Sequence, residues 1–177
     1  MRIKRYFLVL VTLIAFTLQS FAQEGTTGIQ FFQGTFNEAL VKAKQENKVL
    51  FVDFYAVWCV PCKKMAKTVF TQEEVGKFFN EHFVSIQLDA EKGDNVNIAK
   101  NYKVVAYPTV AFISPDGKAI SVNTGAMNKD ELLEAAKIAA GQSISFEALY
   151  EKYKADNNDL DVQQQLLLKA PSFLQAQ

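Results

Sequence analysis

The chemistry open to this chain is concentrated in Cys59 and Cys62, its only two cysteines, written Cys-Val-Pro-Cys. A Cys-x-x-Cys pair delivered by a buried strand to the start of a helix is a redox dithiol. Pro61 suits a first helical turn, where its missing N–H is no loss and its fixed φ is already helical. Cys59 then sits at or just before the helix start. There the unpaired N–H groups and the positive end of the helix dipole favour a thiolate, lowering its pKa below the ~8.5 of a free cysteine. Cys59 is therefore the expected nucleophile. Cys62 lies one turn inside the helix, close enough to attack a mixed disulfide on Cys59 but more shielded from a large substrate. It is the expected resolving thiol.

Other chemistries for the pair fit less well. A purely structural disulfide stays open, although a bridge closing so small a loop constrains little of the unfolded chain. Zinc wants about four ligands, and His82 is the only histidine to add to two cysteines. Covalent haem attachment wants His after the second cysteine, where Lys63 stands. No metal and no cofactor is expected.

The elements that must position the pair can be read around it. Val49–Tyr55 is apolar or aromatic except for Asp53, a short continuous run that suits a strand covered on both faces. Thr35-Phe36-Asn37-Glu38 reads as a capping box opening a helix to Asn47. The helix carrying the cysteines should run to about Val69. Lys63 and Lys64 either help hold a nearby thiolate or form a solvated helix face. A second capping box, Thr71 to Glu74, opens a helix ending near Asn80. Phe83 to Leu88 alternates as a strand, Asp89 to Asp94 is a charged loop, and Asn95 to Tyr102 is a short helix. Thr109 to Ile113 and Ile120 to Thr124 flank a Ser-Pro-Asp-Gly turn and form an antiparallel hairpin. Asn128, with Glu131 three residues on, caps a helix reaching Gly141. The pattern gives an α/β domain with a mixed central sheet flanked by helices on both faces. Its site lies at the C-terminal end of the central strand.

Asp53 to Lys63, read Asp-Phe-Tyr-Ala-Val-Trp-Cys-Val-Pro-Cys-Lys, resembles the active-site segment of the thioredoxin superfamily. Ala106-Tyr107-Pro108-Thr109 resembles that family's cis-proline loop, and Thr124-Gly125-Ala126 its substrate-groove glycine. The resemblance covers roughly Gln30 to Gly141. Within the superfamily the chain is most similar to secreted thioredoxin-like proteins and to the C-terminal domain of periplasmic thiol:disulfide interchange reductases. It implies a thioredoxin-like fold and a protein-disulfide oxidoreductase.

The resemblance also implies roles for particular residues. Asp53, a lone carboxyl in an apolar strand, should have a raised pKa and would pass a proton to or from Cys62. The family often pairs this acid with a lysine on the neighbouring strand, and Val84 to Leu88 holds none. Trp58, Val60, Pro61, Tyr107, Pro108, Thr109 and Gly125 would form the substrate-binding surface. Pro108, if its preceding bond is cis rather than that of a trans turn proline, lets Tyr107 present its backbone to an extended substrate. Trp58 and Tyr107 wall this groove or are packed surface aromatics.

The remaining chain bounds partners and location. At 177 residues, about half of them hydrophobic, the chain holds one domain plus appendages. Residues 1–22 read as a cleavable signal peptide: Arg2, Lys4 and Arg5 precede an apolar run from Tyr6 to Leu18, and Ser20-Phe21-Ala22 offers a cleavage site. That run is shorter than the ~20 residues of a membrane span, so no stable membrane insertion is expected after cleavage. The mature, mildly acidic protein should be periplasmic and soluble, and nucleic acid is not an expected partner. Residues 23–34 are a linker or edge strand, 35–141 the domain, and 142–177 a helical extension. In that extension, helices from Ser145 to about Ala155 and from Leu160 to Lys169 form a packed hairpin or a binding face.

Val60 between the cysteines cannot stabilise a thiolate as a histidine there can, so the dithiol should act as a reductant. A reductant in an oxidising compartment needs an electron source, and a membrane reductase is the expected partner besides disulfide-bonded protein substrates. The competing class is a non-catalytic binding or holdase module that uses the groove and the helical tail.

Overall fold

The computed structural model describes residues 27–175; the signal-peptide expectation for residues 1–22 lies outside them. The elements run α1 (Phe36–Glu46), β1 (Val49–Tyr55), α2 (Val60–Thr68), α3 (Glu73–His82), β2 (Phe83–Asp89), α4 (Asn95–Asn101), β3 (Thr109–Ile113), β4 (Ala119–Thr124), α5 (Lys129–Ala139), α6 (Phe146–Ala155) and α7 (Leu160–Gln175). The four strands form one sheet in the order β2-β1-β3-β4. β1 pairs parallel with β2 and antiparallel with β3, and β3 pairs antiparallel with β4.

Because successive strand residues point to opposite faces, the continuous apolar run of β1 feeds two cores. Leu50, Val52 and Phe54 meet Phe36, Ala39 and Ala43 of α1 and Ala99 of α4. Phe51 meets Met65 of α2, Val75 and Phe79 of α3, Phe112 of β3 and Leu132 of α5. The Phe51 ring lies 4.7 Å from that of Phe79, 5.3 Å from Phe112 and 6.1 Å from Phe70, separations at which edge-to-face and tilted aromatic contacts add to burial.

Local chemistry sets most boundaries. Thr35 and Glu38 form the expected capping box of α1, and Asn47 ends that helix in the left-handed region. Asn128 and Glu131 do the same at the start of α5. The box expected at Thr71 does not form. The Thr71 hydroxyl donates back to the Lys67 carbonyl at 2.7 Å and the Gln72 amide to Thr68 at 2.6 Å, so α3 starts at Glu73 behind an N-cap without a side-chain bond.

The segment before α1 is a fragment of edge strand. Phe31 bridges Ser85 in parallel, Phe32 N–H donates to the Ser85 carbonyl at 2.7 Å, and Asn80 holds Gln30 N–H and the Gly28 carbonyl. Gly76 permits this crossing, because a Cβ there would lie 2.3 Å from the Gly28 carbonyl oxygen.

Beyond α5, α6 and α7 follow Ser145, which caps α6 by accepting from Ala148 N–H. Leu149 and Val162 are buried, and Lys169 ties α7 to Glu134 of α5 and to Ser143. Leu167 and Leu168 of α7 are exposed, as is Leu160. α7 also continues past Lys169 through Pro171. No helix among the described residues is long and apolar enough to cross a membrane.

Candidate functional site

β1 and α2 build the site together. β1 ends at Tyr55, and the turn Ala56–Trp58 delivers Cys59 to the N-cap of α2, with Cys59 N–H donating to the Ala56 carbonyl at 3.0 Å. Val60 and Pro61 occupy the first helical turn, where N–H groups have no intrahelical acceptor and proline loses nothing. Cys59 Sγ accepts from the backbone N–H of Cys62 at 3.2 Å. The two sulfurs form a disulfide. A negative charge developing on Cys59 would thus meet an N–H donor and the positive end of α2.

The exposures do not rank the cysteines as expected. Both are buried, Cys59 at 1% and Cys62 at 6%. Cys59 is covered because it packs with Ala56, Tyr55 and Tyr107 beneath the loop that precedes β3, a contact between segments far apart in sequence.

Around the disulfide the surface is apolar and open. Trp58 is 63% exposed and Val60 74%, and Val57 and Val105 are exposed as well. The Trp58 and Tyr107 rings meet edge to face at 6.0 Å, and Trp58 Nε1 donates to Glu91 Oε2 at 2.8 Å. Sequence reasoning missed Glu91, which sits in the charged loop and gives no local sign of reaching the indole. Burial, reinforced by the Glu91 and Asp89 carboxylates, pushes the Tyr107 hydroxyl above its ordinary pKa.

The loop facing the disulfide carries a cis Tyr107–Pro108 bond. Gly125 closes this side: it holds φ +110°, and its N–H donates to the Pro108 carbonyl at 2.8 Å. Thr109 departs from the expected substrate surface. It is fully buried, its hydroxyl donates to the Ala106 carbonyl at 2.8 Å, and it lies 3.1 Å from the Thr124 hydroxyl, so it braces the loop from within. Trp58, Val60, Pro61 and Tyr107 reach the surface.

Asp53 lies on the same face of β1 as Phe51, the face covered by α2 through Met65. It is two residues nearer the disulfide end of the strand, as Cys62 is one turn nearer than Met65. Its exposure is only 3%, and desolvation pushes its pKa from 3.8 to about 6 against the lowering effect of a Gln87 hydrogen bond. The parallel register sets Gln87 beside Asp53, and Gln87 Nε2 donates to Asp53 Oδ2 at 2.8 Å. Glutamine therefore stands where the family resemblance led one to look for lysine. The sequence signal was available only through the register of β1 on β2.

Two depressions among the described residues, of about 250 and 870 Å³, are lined by other residues, and neither touches Cys59 or Cys62. A reactive pair on an open apolar surface suits a macromolecular substrate rather than an enclosed small molecule. No group of three or more His, Cys, Asp or Glu side chains placed to hold a metal ion occurs among the described residues.

Comparison with known proteins agrees with this geometry. A family model described as a thioredoxin-like domain matches residues 36–140. A thioredoxin H-type from Fagopyrum esculentum is 34% identical over 104 residues, 59% of this chain and 83% of that protein. The thiol:disulfide interchange protein DsbD of Pseudoalteromonas atlantica is 30% identical over 105 residues, 58% of this chain but only 18% of that protein. The chain thus spans less than a fifth of that relative's length. Among solved structures, a candidate disulphide-isomerase from Bacteroides thetaiotaomicron is 41% identical with a TM-score of 0.60, covering 67% of this chain and 98% of that one. The oxidised C-terminal domain of Neisseria meningitidis DsbD is 28% identical with a TM-score of 0.53, covering 62% and 99%. With the helix-capping Cys59–Cys62 pair on its sheet end and these matches across most of the described fold, the chain belongs to the thioredoxin-like family.

Proposed function

We propose that the protein is an exported thiol-disulfide oxidoreductase that reduces or exchanges disulfides in other proteins, working as a reductant in the periplasm. The observation that carries this is the placement of Cys59 at the N-cap of α2, bonded to Cys62. In the reduced protein, Cys59 thiolate attacks a client disulfide, one client sulfur leaves as thiolate, and a mixed disulfide forms. Cys62, giving its proton to Asp53, then attacks Cys59 Sγ. The Cys59–client bond breaks, the second client sulfur departs with the electron pair and takes a proton from solvent, and the Cys59–Cys62 disulfide remains. Trp58, Val60, Pro61 and Tyr107 form the surface that receives the client, with Pro108 and Gly125 supporting the loop beside it.

The reductive direction is supported by what surrounds Cys59. Its Sγ receives the Cys62 N–H, and Val60 between the cysteines brings no charge or donor of its own. A thiolate stabilised by little more than a helix terminus makes a weak leaving state for the disulfide, and so a reducing couple. Such a couple in an oxidising compartment needs electrons from outside, and a membrane reductase is the proposed source. The residues 1–22 leader, with its cationic start and short apolar run, supports export with cleavage.

A binding module without redox turnover has one observation in its favour, the exposed Leu160, Leu167 and Leu168 of α7. The test is reduction of a disulfide-bonded protein such as insulin, with dithiothreitol as donor, by the wild type and by a Cys59→Ser/Cys62→Ser double variant. The proposal requires catalysis by the first and none by the second. Equal rates for both would sink it.

A further inference from the structure

Asp53 has one polar partner on this face among the described residues, and its chemistry is unusual for a buried acid. Lysine in that place would offer donors alone and so favour only the carboxylate; glutamine carries both a donor and an acceptor on one amide. Gln87 is exposed on β2, so its amide sits at the border between Asp53 and water. Among the described residues no cation acts on this carboxyl, whose pKa burial raises and Gln87 lowers. Tyr55 follows Asp53 on the same face of β1 and feels both Asp53 and Asp89, α2 brings Cys62 and Met65, β3 sets Val110 opposite Asp53, and α5 brings Leu132 and Leu133.

We propose that Gln87 is the positioning residue that lets Asp53 exchange a proton with Cys62: its Nε2 donates to the carboxylate, and the same amide, turned over, accepts from the carboxylic acid through Oε1. This rests on the reading of Asp53 as the proton carrier for Cys62. In the resolving step Asp53 takes the Cys62 Sγ proton as that sulfur forms its bond to Cys59. Gln87 turns its amide about the terminal side-chain bond, so neither protonation state is left with an unpaired polar group under α2. An unpaired buried donor or acceptor carries a desolvation cost, which would otherwise be added to one side of the transfer. The acid is then supported in both protonation states, where a cation would favour the carboxylate alone.

The experiment compares wild type with Gln87→Lys and Gln87→Leu. The Asp53 carboxyl is titrated by carbon-13 NMR in the oxidised protein, where no thiol titrates, and the pH profile of client-disulfide reduction is measured in parallel. Gln87→Lys should move the Asp53 midpoint down by about one to three pH units, the effect of an adjacent opposite charge, and Gln87→Leu should move it up. The midpoint of the rate profile should follow in each case. A Gln87 that merely fills space would move neither, or move both variants the same way, and either result overturns the proposal while leaving Asp53 as proton carrier if the wild-type profile tracks its titration. Opposite NMR shifts with an unmoved rate profile would instead remove Asp53 from the proton path, and the proposal with it. Should Gln87→Leu fold poorly, Gln87→Glu keeps a polar side chain at this exposed position. It should raise the Asp53 midpoint through like-charge repulsion, and an unmoved midpoint would again overturn the proposal.

Discussion

Replacing Asp53 by asparagine should make the oxidised protein more stable, and the gain should depend on pH in a defined way. Folding carries Asp53 from a carboxyl value of 3.8 to about 6, chiefly by desolvation. At 1.36 kcal/mol for each pH unit, that difference amounts to about 3 kcal/mol. Between pH 4 and 6 the unfolded chain has released this proton while the folded protein retains it. Stability therefore falls as pH rises through this window. The contribution is fully present below about pH 4 and fully lost above about pH 6. Asparagine has the same shape, carries no charge and can still accept from Gln87 Nε2. Asp53→Asn should then match wild type near pH 4 and exceed it by about 3 kcal/mol at pH 7.5, read as urea midpoints across the range. Equal stabilities at pH 7.5, or a wild-type curve that does not fall between pH 4 and 6, would refute the argument that Asp53 is a desolvated acid held at a cost. The expected penalty is what would be given up for a group able to move a proton near neutral pH.

Other outcomes follow from the same geometry. Cys62→Ser should leave Cys59 able to attack a client but unable to release it, so a mixed disulfide should accumulate on non-reducing gels; free client in its place would contradict the assignment of Cys59 as nucleophile. Phe51→Ala removes a fully buried ring that touches Phe70, Phe79 and Phe112 and should cost about 3–5 kcal/mol in urea unfolding; a loss under 1 kcal/mol would mean the core closes over the void. Trp58→Ala opens the apolar rim and frees Glu91, and should raise the KM for a protein client several-fold while leaving the rate with a small disulfide substrate unchanged. An equal loss with both substrates would place Trp58 in the chemistry instead of in client contact.

Much of the scaffold was legible because it is locally encoded. The Thr35 and Asn128 capping boxes and the Ser114-Pro115-Asp116-Gly117 turn each contain, within a few residues, the groups that satisfy their own backbone, and the apolar run of β1, broken only by Asp53, marks a strand covered on both faces. Thr71 failed as a cap because its hydroxyl and the Gln72 amide had nearer acceptors in the last turn of α2, a competition that a four-residue pattern does not contain. The pairing of the two cysteines and the burial of Asp53 were legible from type and spacing. Gln87 and Glu91 were not, since each acts on a residue 33 or 34 positions away and is recruited by strand register or loop path. Thr109 was placed on the substrate surface by its neighbours in the Tyr-Pro-Thr segment, but it opens β3, which is buried along its whole length, and its hydroxyl is taken up by the Ala106 carbonyl and Thr124.

The reduction potential of the Cys59–Cys62 couple tests the central claim most directly. The protein would be equilibrated against glutathione and dithiothreitol buffers and its thiols quantified. A Cys59 held by little more than a helix N-terminus, with Val60 beside it, predicts a value near the ~−270 mV of thioredoxin. A value near the ~−120 mV of a strong oxidant would contradict the account, because it would require a thiolate far better stabilised than this site provides and would make the protein a source of disulfides.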